Sequence, residues 1–269
     1  MKHLVLILFS CALLLIPALC RGNSNSFSYS FVQMADPQIG MTVYSNDLAR
    51  FRQAVLQINT MKPAFVVICG DLVDKASSNS FADFSAAKAE LTVPSYCVPG
   101  NHDIGYEPDK QSLALYRSQI GRDYYTFSFS NDLFVCANSQ FWKAPPDDES
   151  RGHDRWFKKS MADATNGASR TRIFVVMHYP PFTDRPDEKE HMFNLPADVR
   201  QLVLNACGKA SVTALLVGHA HRTITNQYSS CMIVAPETTS VNADKRPFGF
   251  RLWHVGPGTN ISHEFVPLK

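Results

Sequence analysis

The 269-residue sequence predicts a mixed α/β domain built in layers, preceded by a short apolar leader. Three observations carry that expectation. Apolar β-type runs alternate with stretches of helical period through most of the chain. The last strands follow one another without helices between them. No Gly/Ser/Pro run or block of like charge divides the sequence. Apolar residues make up 45% and charged residues 19%, a globular composition long enough for an ample core. Basic and acidic residues number 26 and 24, so the net charge of +2 offers no basic stripe for nucleic acid. There is no internal repeat of solenoid or propeller period.

Residues 1–20 (MKHLVLILFSCALLLIPALC) read as a secretory signal peptide. Lys2 and His3 form a basic start. Leu4 to Leu19 form an apolar stretch of sixteen residues, short of the roughly 20 needed for a span. Ala18 and Cys20 stand at the −3 and −1 spacing, and the chain turns polar at Arg21. An uncleaved anchor is the plain alternative. A lipoprotein reading through Cys20 is weaker, because bulky Leu19 precedes it. The expected product is a secreted or periplasmic domain over 27–269, with no stable membrane span after cleavage. Five cysteines remain in it: Cys69, Cys97, Cys136, Cys207 and Cys231. Five buried thiols are the expected state, with a Cys207–Cys231 pairing left open.

In order, 29–35 reads as a strand ending at Asp36. Leu48, Phe51, Val55 and Ile58 then recur at helical spacing. Residues 64–69 form an apolar strand ending at Gly70-Asp71. A helix is expected over 81–91, a short strand over 93–98 ending at Pro99-Gly100-Asn101, and a helix near 109–120. Residues 124–129 and 133–137 read as a hairpin turning at Ser130-Asn131-Asp132. A helix over 151–164 and a strand over 172–177 ending at His178 follow. Pro196 opens a helix that runs to Cys207, with Gly208 as its stop signal. The strand over 212–217 ends at Gly218-His219. The late strands are 231–235, 248–254 and 262–266.

Every one of the five strands that could line a parallel core ends in a potential metal ligand. The blocks are Asp36-Pro37-Gln38, Gly70-Asp71-Leu72-Val73-Asp74, Gly100-Asn101-His102-Asp103, His178 and Gly218-His219-Ala220-His221. Ligands of open α/β sheets bind beyond the carboxyl ends of the strands, so these groups are expected in one crevice. Alone, Asp36, Asp71 or Asn101 reads as readily as a helix cap. Jointly, with histidines at matching strand ends, they read as a metal site.

Those blocks resemble the calcineurin-like metallophosphoesterases, whose ordered pattern is D-x-H, G-D-x-x-D, G-N-H-D/E, a lone His, then G-H-x-H. Gln38 departs from it, standing where the broad family has His. With the text around NSQFW, FNLPADVRQL and GHAHR, the D-P-Q block is similar to a subfamily described as serine/threonine phosphatases. The likeness runs from about residue 30 to about 255. It implies a four-layer α/β/β/α sandwich of two mixed sheets flanked by helices.

The resemblance assigns Asp36, Gln38, Asp71 and His221 to a first divalent cation. It assigns Asp71, Asn101, His178 and His219 to a second, with Asp71 bridging. It makes His102 a general acid and Asp74 the group that orients it. Mn²⁺ is the cation expected most, with Fe, Zn²⁺ or Mg²⁺ as alternatives. The activity implied is hydrolysis of phosphate monoesters by a hydroxide held between the metals. The substrate would be a phosphorylated small molecule or a phosphoprotein. A phosphodiesterase or nucleotide pyrophosphatase on the same site stays open, as does a phosphate-binding module without turnover.

Overall fold

The computed structural model describes residues 29–166 and 171–269. The expected signal peptide therefore lies outside the described residues. The elements run β1 (Tyr29–Met34), α1 (Tyr44–Met61), β2 (Val66–Cys69), α2 (Ser78–Lys88), β3 (Ser95–Val98), α3 (Asn101–Ile104) and α4 (Lys110–Gln119). Then come β4 (Tyr125–Phe129), β5 (Asp132–Cys136), α5 (Gln140–Lys143), α6 (Asp147–Asn166), β6 (Arg172–Val176) and α7 (Ala197–Lys209). The chain closes with β7 (Ala214–Leu216), β8 (Ile224–Tyr228), β9 (Cys231–Ala235), β10 (Gly249–Val255) and β11 (Ile261–Pro267). Among the described residues no helix is long and apolar enough to cross a membrane.

Two mixed sheets form, in the orders β11-β10-β1-β2-β3 and β4-β5-β6-β7-β9-β8. The central pairs β1–β2–β3 and β5–β6–β7–β9 are parallel, and antiparallel strands complete the edges. Strands buried on both faces carry apolar runs, as in β2 (VVIC) and in β6 after its opening Arg172 (IFVV). Between the sheets, Phe31 stacks on Phe65 and Trp253, and Phe134 stacks on Phe174. Gln33 joins the two sheets within that apolar layer. Its amide donates to the carbonyls of Val217 (3.2 Å) and Val234 (2.8 Å), and its oxygen accepts from the Trp253 indole (3.0 Å). Each such bond contributes about 1 kcal/mol net, and leaving its buried groups unpaired would cost more.

The outer layers follow from helical period. Phe51, Ala54, Val55 and Ile58 of α1 are buried on the first sheet with Phe81 and Phe84 of α2. Phe157 and Met161 of α6 and Val203, Leu204 and Cys207 of α7 cover the second. The architecture is therefore the four-layer α/β/β/α sandwich.

Several boundaries differ from expectation. Helix α2 starts earlier than residue 81 because Ser77 caps it, accepting from Ser80 N at 3.1 Å. Gly208 does not stop α7, which runs to Lys209. Strand β8 was not expected, since ITNQY is polar on its exposed face. All five described cysteines are free and buried, so Cys207 and Cys231 are separate thiols.

Candidate metal centre

The parallel strands β1, β2, β3, β6 and β7 all end at the same edge of the two sheets, and the five blocks follow them directly. After β1, β2 and β7 the chain passes through left-handed backbone. Asp36, Gln38, Asp71, His219 and His221 have φ of 50°, 36°, 50°, 66° and 47°. They are half of the non-glycine residues with positive φ among the described ones. This conformation disfavours side chains bearing a Cβ, so its concentration at one place marks backbone held for a purpose. It also disposes of the helix-cap alternative for Asp36, because the N-cap of α1 is Val43. Two glycines admit the neighbouring side chains. A Cβ on Gly70 would stand 2.6 Å from His178 Nδ1, and one on Gly218 would stand 2.9 Å from Asp36 Oδ2.

Hydrogen bonds tie the strand ends together. Asp36 accepts from His219 N at 3.1 and 3.0 Å, joining the two sheets. Asp71 Oδ1 accepts from His102 N at 2.9 Å. Asp103, fully buried, accepts from Leu72 N (2.9 Å), Val73 N (3.3 Å) and Gly100 N (2.8 Å). It thereby holds the loops carrying Asp71 and Asn101 in register. Burial and the negative charge of Asp71 push its carboxyl well above the usual range, against the pull of those amides. Sequence reasoning gave Asp103 no role, although it is the last letter of the G-N-H-D block. Asp103→Ala should cost roughly 3 kcal/mol or more by orphaning buried amides, read as a lower midpoint in urea unfolding. Asp103→Asn, which keeps an acceptor, should lose less.

Four imidazoles are oriented in the same way. His178 Nδ1 donates to Cys69 O (2.7 Å), His219 Nε2 to Met192 O (3.0 Å), His221 Nδ1 to Val241 O (3.0 Å) and His102 Nδ1 to Asp74 O (2.8 Å). A carbonyl only accepts, so each of these nitrogens carries the proton; the other nitrogen of His178, His219 and His221 faces the crevice, and that of His102 faces the Tyr106 hydroxyl. In the crevice His178 Nε2 meets Asn101 Oδ1 at 3.2 Å, Asp71 Oδ2 at 3.3 Å and His219 Nδ1 at 3.1 Å. His221 Nε2 lies 3.8 Å from Asp36 Oδ1. Gln38 Oε1 is buried without a partner, while its Nε2 donates to Asp74 Oδ1 at 3.2 Å.

Lone pairs crowded in this way repel one another unless a proton or a cation lies between them. Ligand atoms of Asp71, His178 and His219 form one group within 4.8 Å of each other, and those of Asp36, Asp71 and His221 form another. Asp71 belongs to both. Nitrogen and oxygen donors of this kind suit divalent cations, and the buried carboxylates require positive charge. The crowding also shows in the proton affinities of these side chains. Burial lifts Asp36 to about 6. Burial pushes His178 down, but Asp71 and Asp36 outweigh it and raise the imidazole to about 9. Burial and the neighbouring His178 lower His219 to about 3. Burial also pushes Asp71 up, but His178, His102 and His219 together hold it below the ordinary carboxylate range.

The structure thus brings Asp36, Gln38, Asp71, Asn101, His178, His219 and His221 to one crevice, with His102 and Asp74 beside them. It refines the expectation for Asp74. The nearer group to His102 Nδ1 is the Asp74 carbonyl, and the carboxylate lies 3.4 Å away while accepting from Gln38. The carbonyls of Cys69, Met192 and Val241 were missed because a backbone oxygen leaves no trace in residue type.

The family model described as calcineurin-like phosphoesterase matches residues 29–223. The chain belongs to the calcineurin-like phosphoesterase family. Family, fold and donor set together make it a metal-dependent phosphoric ester hydrolase with a dinuclear site. Among curated proteins it is similar to the serine/threonine-protein phosphatase CPPED1 of Danio rerio, 27% identical over 264 residues, covering 89% of this chain and 85% of that one. The Bos taurus CPPED1 is 28% identical over 268 residues, covering 89% and 84%. Among solved structures, a dimetal phosphatase from Danio rerio superposes with a TM-score of 0.66 at 16% identity, covering 90% of this chain and 99% of that one.

Proposed function

We propose that this protein is an exported phosphomonoesterase that hydrolyses esters of small alcohols or of phosphoproteins. The observation that carries the reading is the convergence of seven donor groups, three of them imidazoles aimed by carbonyl partners, beside the His102 imidazole, whose Nε2 neighbours the Tyr106 hydroxyl. Asp36, Gln38, Asp71 and His221 would hold one cation, and Asp71, Asn101, His178 and His219 the other. When bound, the pair supplies positive charge for the phosphate oxygens and an activated water. His102, held at Nδ1 by Asp74 O, presents Nε2 beside the Tyr106 hydroxyl. As the imidazolium, protonated at both nitrogens, it would give the Nε2 proton to the ester oxygen as the phosphorus–oxygen bond breaks, leaving the Nδ1–H tautomer. The name of the CPPED1 relatives, serine/threonine-protein phosphatase, supports a monoester on a protein hydroxyl.

A phosphate-release panel on the purified protein tests this, with metal content from elemental analysis. Turnover of p-nitrophenyl phosphate well above that of its bis-ester and of ADP-ribose is expected. The reverse order would make the enzyme a diesterase or pyrophosphatase. Export is supported by the short apolar run at the amino terminus, and protein from the native host should begin near residue 21. Met1 retained on cytosolic protein would refute export.

Gln38 bears on the choice of metal. A carboxamide oxygen is a harder and weaker ligand than an imidazole nitrogen, so Mn²⁺ or Mg²⁺ gains relative to Zn²⁺ or Fe. Gln38→His should tighten binding and move preference towards Zn²⁺ or Fe in competition dialysis. An unchanged order of preference would reject the argument.

A further inference from the structure

Seven large apolar side chains are exposed among the described residues: Met41, Val43, Tyr44, Leu56, Tyr106, Met192 and Phe193. All but Leu56 lie on segments that hold the site. Met41, Val43 and Tyr44 follow Gln38, and Tyr106 follows His102. Met192 supplies the carbonyl that fixes His219, and the Phe193 ring lies 5.7 Å from the His219 ring. A charged crevice gains nothing from apolar walls of its own. Apolar side chains left exposed beside such a crevice mark contact with something else.

Tyr106 is the best placed of these. Its hydroxyl is 3.4 Å from His102 Nε2, the nitrogen that faces outward, and the rings meet edge-on with centroids 5.7 Å apart. The Tyr106 side chain is therefore beside the atom from which a proton would leave, on the side where the departing alcohol must lie. The residue is 60% exposed, so its ring has a face free for a ligand. Its backbone is nonetheless fixed, because Gln140 Nε2 donates to the Tyr106 carbonyl at 2.6 Å. A ring on a pinned backbone can bind a leaving group with little ordering cost.

We infer that Tyr106 is a specificity-determining residue that contacts the alcohol portion of the substrate, and that this portion is aromatic or apolar. The inference rests on the phosphatase reading for the position of the ester, but its test does not require turnover. Affinities of phenylphosphonate and methylphosphonate for the Mn²⁺-loaded protein are compared by isothermal titration calorimetry. Both carry the same anionic group and neither has an ester oxygen to hydrolyse. The wild type should prefer the phenyl compound by roughly five- to tenfold, the range of an aromatic contact. Tyr106→Ala should remove the preference while leaving methylphosphonate affinity within about twofold. Tyr106→Phe, which loses only the hydroxyl, should retain it.

A wild type without preference, or a preference that survives in Tyr106→Ala, would overturn the inference. So would loss of the preference in Tyr106→Phe, since the hydroxyl and not the ring would then be the determinant. Failure of the wild type to release phosphate, with the phenyl preference intact, would count against the phosphatase reading alone.

Discussion

Asp71→Ala is expected to empty both cation positions and to lower turnover by roughly 10³-fold or more, the loss of several kcal/mol of charge stabilisation. Asp71 is the one residue common to both groups of ligand atoms. Its Oδ2 faces His178 Nε2 at 3.3 Å, and its Oδ1 accepts from His102 N at 2.9 Å. Removing it takes a negative charge from each cation position and frees the turn that carries His102. Asp71→Asn separates these effects, since the amide oxygen still accepts from His102 N while the charge is gone. It should lose metal almost as completely but keep the folded midpoint closer to wild type. His178→Ala, by contrast, should weaken one cation and spare the other, because its Nε2 faces only the Asp71–Asn101–His219 group. Elemental analysis with parallel phosphate-release assays checks all three. Two metal equivalents and wild-type turnover in Asp71→Ala would overturn the ligand assignment.

Side chains at strand ends were legible because two independent patterns coincide there. An apolar run such as VVIC reports a buried parallel strand, and the Gly-Asp that follows reports where it stops. The topology then places Asp71 without any further information. Phe51, Val55 and Ile58 were equally legible, since apolar residues at this spacing share one face only when the segment is helical. What stayed hidden depends on backbone groups and on long-range contacts. No residue type at 69, 192 or 241 announces that its carbonyl will hold an imidazole. Asp103 is plain in its block, but its role is not, because three amides from two loops meet it only in the folded chain. Tyr106 illustrates the same limit from the other side. Its exposure and its nearness to His102 arise from a turn that composition does not encode. The Asp74 case is intermediate: the residue was legible, but which of its oxygens touches His102 was not.

His102→Ala should slow phosphoserine hydrolysis by about 10²–10⁴-fold, the usual contribution of a general acid. The same substitution should cost far less on p-nitrophenyl phosphate, whose leaving group is stable as an anion and scarcely needs a proton. The geometry favours this role over ligation. His102 Nδ1 is engaged by Asp74 O at 2.8 Å, and the neighbour of Nε2 is the Tyr106 hydroxyl and not the cluster of converging lone pairs. The side chain is about a quarter exposed, whereas His178 is fully buried, so His102 can exchange its proton with solvent between turnovers. Metal content should therefore be unchanged in the variant. Asp74→Asn should give a smaller version of the same pattern, smaller than a carboxylate–imidazole pair would suggest, because the carbonyl that holds Nδ1 remains. Its larger effect should fall on the first cation, since the Asp74 carboxylate also holds the Gln38 amide at 3.2 Å and so aims Gln38 Oε1. Equal losses on both substrates, or a missing metal equivalent in His102→Ala, would make His102 a ligand or a phosphate-binding group and leave the source of the leaving-group proton elsewhere in the crevice.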